Sequence, residues 1–175
     1  MLGHKKPVGS KRYTTMLTLN KPTAITLPQF LIDEISKIGL VNSFEQKFYL
    51  SYPKEFQINI KELIEHSINT KIQISEGWMN CVSYQGVDNN FDWHNEDGVG
   101  SNDGLNEGRY VCVMWLAGEK NKGGAFKYIN ELGEVVIVEL NPPSLILITR
   151  ETLHCVDTYL GTLPRISFNF NFDTE

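Results

Sequence analysis

The sequence holds little cysteine: Cys81, Cys112 and Cys155 in 175 residues, with no CxxC pair. That excludes a disulfide framework or a zinc ribbon and points to free thiols in a reducing, cytoplasmic setting. No apolar run approaches the ~18 residues that a membrane span requires. The basic N-terminal stretch, with Lys5, Lys6, Lys11 and Arg12, has no apolar run after it and does not read as a signal peptide. Positive charge is in deficit: 16 Lys and Arg face 21 Asp and Glu, a net charge of −5. A nucleic-acid binder driven by bulk charge is therefore not expected. There is no internal repeat and no low-complexity segment. What remains is a chain with 41% apolar and 21% charged residues, long enough for one folded domain over 1–175.

Three stretches differ in texture. Residues 1–20 read as a solvated arm, with Tyr13–Leu19 able to add an edge strand. Residues 21–70 read as helical support. Leu27, Phe30, Leu31, Ile35 and Ile38 recur at helical spacing over 27–40, with Pro28 in the first turn. Ile60, Leu63, Ile64 and Ile68 give a second helical face over 59–68. From residue 71 to 175 short β-rich runs follow, at 71–74, 77–84, 109–116, 125–129, 135–140, 144–149 and 165–172, separated by Gly, Asn, Asp and Pro. Helices followed by many short strands predict an α+β domain whose β part is a sandwich or barrel. The connection from Asn95 to Gly108 carries four glycines and is long for a compact domain, as in a lid over a site.

Chemistry concentrates in three places. Asp92-Trp-His-Asn-Glu96 sets His94 and Glu96 two residues apart, on one face of an extended segment. His154 follows the apolar run 144–149. Two imidazoles and a carboxylate form a facial set that suits non-haem Fe(II), although zinc hydrolase sites use the same donors. The third place is Arg165-Ile-Ser-Phe-Asn-Phe-Asn-Phe172. Ile166, Phe168, Phe170 and Phe172 share one face, while Arg165, Ser167, Asn169 and Asn171 share the other. A guanidinium on the pocket side suits a carboxylate held bidentately. A dicarboxylate chelating iron at one end would be able to meet Arg165 at its other end. The plainer role for Arg165 is an ion pair with Asp157 or Glu139.

The ordered set of Asn80-Cys-Val-Ser-Tyr84, His94-Asn-Glu96, Arg109 to Leu116, Gly123-Gly-Ala-Phe126, Asn141-Pro-Pro-Ser to Thr149, His154-Cys-Val156 and Arg165-Ile-Ser167 resembles the Fe(II)- and 2-oxoglutarate-dependent oxygenases, in the branch similar to prolyl 4-hydroxylases. The resemblance covers about residues 75–172. It implies a double-stranded β-helix (a jelly roll, cupin-like) with supporting N-terminal helices. It implies His94, Glu96 and His154 as ligands of Fe(II), and Arg165 as the partner of the distal carboxylate of 2-oxoglutarate. Ser167 and Tyr84 are then candidate hydrogen-bond partners of that co-substrate. Glu96 stands where the family usually has Asp, and its presence argues against the halogenating members, which lack the carboxylate. The implied reaction consumes O₂ and decarboxylates 2-oxoglutarate to succinate and CO₂ while a peptide, protein or small-molecule substrate is hydroxylated, with ascorbate a candidate reductant. A non-catalytic metal-binding β-helix and a cupin-like metal-dependent hydrolase or isomerase are the other classes these residues allow.

Overall fold

A computed structural model describes residues 22–38, 44–82, 91–95, 110–139 and 141–175. In chain order the elements are β1 (Thr23–Ala24), α1 (Gln29–Ile38), β2 (Phe44–Phe48), a 3₁₀ turn (Tyr49–Ser51), α2 (Lys54–Ile68), β3 (Ile72–Val82), β4 (Phe91–His94), β5 (Tyr110–Ala117), β6 (Phe126–Ile129), β7 (Val135–Val138), β8 (Ser144–Thr149), β9 (His154–Val156) and β10 (Arg165–Thr174). The strands form two antiparallel sheets. The larger has the order β1-β8-β5-β10-β3-β2, the smaller β4-β9-β6-β7. From β3 to β6, and again from β7 to β10, the chain passes from one sheet to the other at every step. The β6–β7 hairpin joins the two halves. This winding is the double-stranded β-helix expected from the sequence. Among the described residues no helix is long and apolar enough to cross a membrane.

Strand parity divides the apolar residues into two cores. Ile166, Phe168, Phe170 and Phe172 of β10 join Cys112, Met114, Leu145 and Leu147 under the helices. Val111, Val113 and Trp115 of β5 face the other way, with Ile146 and Ile148 of β8, onto Phe126 and Tyr128 of the smaller sheet. β5 and β8 are thus buried on both faces, which is why they read as unbroken apolar runs. In the helical layer Tyr52 stacks on Phe56 at 4.1 Å, Phe56 meets Phe168 at 5.8 Å, and Tyr49 meets Phe170 edge-on at 5.2 Å. Phe56, Ile60, Ile64 and Ile68 form the buried face of α2. The carboxylate of Glu65 ties the end of α2 to β3, accepting from the Ile72 amide at 3.0 Å and from Lys71 Nζ at 2.6 Å.

The structure departs from expectation in several elements. The segment 21–70 is not purely helical, because β1 and β2 extend the larger sheet at both edges. α2 starts at Lys54 rather than Asn59, with Pro53 at its N-cap. The short strands β4 and β9 were not expected. The two expected runs on either side of residues 75–76 join into the one strand β3 (Ile72–Val82), and Gly77 does not break it. Gly77 lies opposite Phe170, and a Cβ there would overlap Cδ1 of that ring, lie 2.9 Å from Cε1 and stand 3.0 Å from the Asn169 carbonyl oxygen. The glycine makes room for the ring rather than for a turn. The arm 1–20, Tyr84, Glu96 and the 95–108 connection beyond Asn95 lie outside the described residues.

Strand glycines normally gain ~0.5–1 kcal/mol on replacement by alanine. Gly77→Ala is expected to lose about 1–3 kcal/mol instead, through overpacking against Phe170. Phe170→Leu should recover part of that loss in the double variant. Urea unfolding of the two variants checks it, and an unchanged or higher midpoint for Gly77→Ala contradicts the account.

Candidate active site

A cavity of about 140 Å³ lies between the sheets, and His94, His154, Arg165 and Ser167 all line it. Each reaches it through strand geometry. The polar face of β10 places Arg165, Ser167 and Asn169 on the cavity side. Neighbouring β3 adds Trp78 and Asn80, which lie opposite Asn169 and Ser167 in the ladder. Sequence reasoning passed over Trp78 and Asn80. The signal was available, since both share the even parity of Tyr84 in the same run. Val111, Val113 and Phe126 supply an apolar wall.

His94 and His154 face each other across the β4–β9 pair. The register shifts between Phe91 and His94, so β4 carries one residue more than β9 over this stretch. Such a bulge re-aims a side chain. Here it sets the His94 ring 4.4 Å from that of His154, while Trp93 stands 43% exposed. His154 also stacks on Phe126 at 5.3 Å.

Both imidazoles are oriented by backbone carbonyls. His94 Nδ1 donates to the Asp92 carbonyl at 2.6 Å, and His154 Nδ1 donates to the Thr152 carbonyl at 2.8 Å. A carbonyl only accepts, so Nδ1 holds the proton and Nε2 carries the lone pair in each neutral ring. Burial pushes the pKa of His154 down to about 4, opposed by the Thr152 carbonyl and aided by the nearby His94. His154 is thus neutral at pH 7. Two imidazoles fixed through Nδ1, with Nε2 left to ligate, are the arrangement by which proteins present histidine to a metal. Among the described residues no third His, Cys, Asp or Glu joins them. Glu96, the third ligand expected, is two residues beyond His94 and outside the described residues.

Arg165 is 3% exposed. Its Nε is buried without a hydrogen-bond partner among the described residues. The ion pair with Asp157 is not formed, because Asp157 pairs with Lys127 at 2.7 Å. Burial pushes the guanidinium pKa down to about 10, which leaves it charged at neutral pH. A buried cation without an anion costs several kcal/mol and is tolerated where a ligand supplies the anion. Gly124 makes space for it: a Cβ there would stand 3.0 Å from Arg165 Cδ and 3.1 Å from Nε. The donor set therefore fits a bound metal at the imidazole end and a carboxylate at the guanidinium end.

No family model and no curated protein matches the sequence. Solved structures do. A prolyl-4-hydroxylase of Pseudomonas putida matches with a TM-score of 0.60 at 15% identity, over 89% of this chain and 92% of that one. A viral collagen prolyl hydroxylase from Paramecium Bursaria Chlorella virus-1, solved as a 2OG complex, matches with a TM-score of 0.56 at 16% identity, over 87% and 94%. An oxidoreductase of Burkholderia pseudomallei described as of the 2OG-Fe(II) oxygenase family matches with a TM-score of 0.58 at 12% identity, over 82% and 76%. At these identities the likeness is one of fold, and the chain has the β-helix architecture of these oxygenases.

The depressed pKa of His154 has a consequence for stability. In the metal-free protein the unfolded state takes up a proton on this residue near pH 6.5, the folded state only near pH 4. Stability is therefore full above pH 6.5 and falls as the pH drops toward 4, by about 3 kcal/mol. His154→Gln should lack this portion of the acid loss. Urea midpoints at pH 7.5 and 4.5, compared between wild type and variant, test it. Equal losses in both would contradict the assignment.

Proposed function

We propose that this chain is a non-haem Fe(II)- and 2-oxoglutarate-dependent dioxygenase that hydroxylates its substrate. One observation carries the reading: a buried guanidinium, with no anion beside it among the described residues, shares a cavity with two imidazoles that both turn their lone pairs away from the backbone. His94 and His154 would hold the iron, with Glu96 completing the triad. Arg165 would receive the distal carboxylate of 2-oxoglutarate, with Ser167 and Tyr84 as further hydrogen-bond partners. A bound Fe(II) supplies the redox and O₂ chemistry that side chains lack.

The chain's own part is binding, orientation and exclusion of water. Arg165 on the rigid strand β10 fixes one end of the co-substrate, so the other end meets the metal in a single orientation. The Val111, Val113 and Phe126 wall is apolar, and the low dielectric it provides would strengthen a guanidinium–carboxylate attraction. The Asp92 and Thr152 carbonyls hold the imidazoles in the ligating tautomer. The primary substrate is a prolyl peptide or an amino-acid-like molecule. The match to two prolyl hydroxylase structures supports this class, and the acidic residues Asp97, Asp103 and Glu107 favour a basic or neutral substrate. Three free cysteines, all buried, support a cytoplasmic setting.

The test is O₂-dependent formation of succinate from 2-oxoglutarate by Fe(II)-loaded protein, with ascorbate present. Proline-containing peptides and free amino acids are the first substrates to try. Succinate and hydroxylated product should form in equal amounts, and His94→Ala and His154→Ala should abolish both together with iron binding. Arg165→Ala should retain iron and weaken 2-oxoglutarate binding roughly 30-fold or more, as expected for loss of a desolvated charge pair at about 2–5 kcal/mol. An unchanged requirement for 2-oxoglutarate in Arg165→Ala would remove that residue from the site.

A further inference from the structure

Arg165 has a tightly tied neighbour outside the cavity. The bare face of Gly124 receives the Arg165 stem and also the Tyr159 ring, whose Cδ2 would stand 3.2 Å from a Cβ placed there. Tyr159 is 1% exposed. Its hydroxyl donates to the Leu163 carbonyl at 2.8 Å and accepts from the Glu119 amide at 2.9 Å. Glu119 answers with one carboxylate oxygen. Its Oε2 accepts from the Thr162 amide, from the Leu163 amide at 2.8 Å and from Thr162 Oγ1 at 3.2 Å. Gly161 leaves room for the phenol, since a Cβ there would overlap its Cζ and hydroxyl oxygen. Gly123 pairs with Tyr159 in an isolated bridge, and the Gly124 amide donates to the Thr158 carbonyl at 3.1 Å. The connection between β5 and β6 thus holds the connection between β9 and β10 just before Arg165. Neither Glu119 nor Tyr159 lines the cavity.

We propose that Glu119 and Tyr159 form a clamp that positions the Arg165 guanidinium and so sets the affinity of the cavity for an anionic ligand, independently of the imidazole pair. The consequence for 2-oxoglutarate rests on the function proposed above; the clamp itself does not. A free arginine loses much rotamer freedom when it binds a carboxylate, and a side chain already fixed loses less. Glu119 and Tyr159 are positioning residues, since they touch neither imidazole.

The direct readout is the Arg165 Nε–Hε resonance of metal-free protein, identified by its loss in Arg165→Lys. Wild type should give one slowly exchanging signal. Tyr159→Phe, which removes a single oxygen, and Glu119→Ala should each speed its exchange roughly tenfold or more. Glu119→Gln, which keeps an oxygen acceptor in that place, should restore most of the protection. In Fe(II)-loaded protein without O₂, Tyr159→Phe and Glu119→Ala should weaken 2-oxoglutarate binding roughly tenfold, about the effect of one lost hydrogen bond. Iron affinity should not change. An Arg165 signal unaltered in both variants overturns the clamp. So does a parallel loss of iron and 2-oxoglutarate affinity, which marks a general loosening of the fold. If wild type binds no 2-oxoglutarate and the Arg165 signal still responds, the clamp stands and the oxygenase reading falls.

Discussion

A guanidinium that water barely reaches, with no carboxylate beside it among the described residues, is the constraint from which the rest of the structure follows. Arg165 opens β10, the strand shared by β3 and β5 at the centre of the larger sheet. Its neighbours on the other face are aromatic and lock the strand to the helical layer. The strand therefore cannot turn to release the charge, and a one-residue slip would drive Phe168 and Phe170 into the cavity. The cation is held in place by the burial of the alternate residues. That makes it available to an anion of the right length and expensive to leave without one.

The imidazole part of the same cavity is built by the same means with the other sign of chemistry. Two imidazoles stand 4.4 Å apart, each with its proton committed to a carbonyl two residues earlier in its own chain segment. Burial already disfavours a proton on His154. A cation with empty orbitals is favoured there, and an anion is favoured at Arg165. A chelating dicarboxylate bound to a metal satisfies both ends at once, which neither a simple structural metal nor a hydrolytic water does.

Much of this was legible in the sequence, for identifiable reasons. β10 showed itself through strict alternation and β8 through an unbroken apolar run. His94, His154, Arg165 and Ser167 stood out because ligand types sat on or beside such strands, and all four line the cavity. What escaped depends on partners distant in sequence. β1, β2, β4 and β9 are short and exist through the strands they pair with. The bulge that aims His94 is a property of the β4–β9 ladder. Gly77 reads as a breaker until Phe170 is seen across from it. The contacts that join Glu119 to Thr162 and Leu163 span more than forty residues, and no local pattern announces them.

The central claim is that metal and dicarboxylate occupy the two ends of one cavity. Anaerobic titration of the Fe(II) protein with 2-oxoglutarate, followed through the visible metal-to-ligand charge-transfer band, tests it most directly. The account predicts that the band appears and saturates, and that it is lost in His154→Ala. Iron bound without any band on adding 2-oxoglutarate would contradict it and leave a metal-binding module or a hydrolase as the better description.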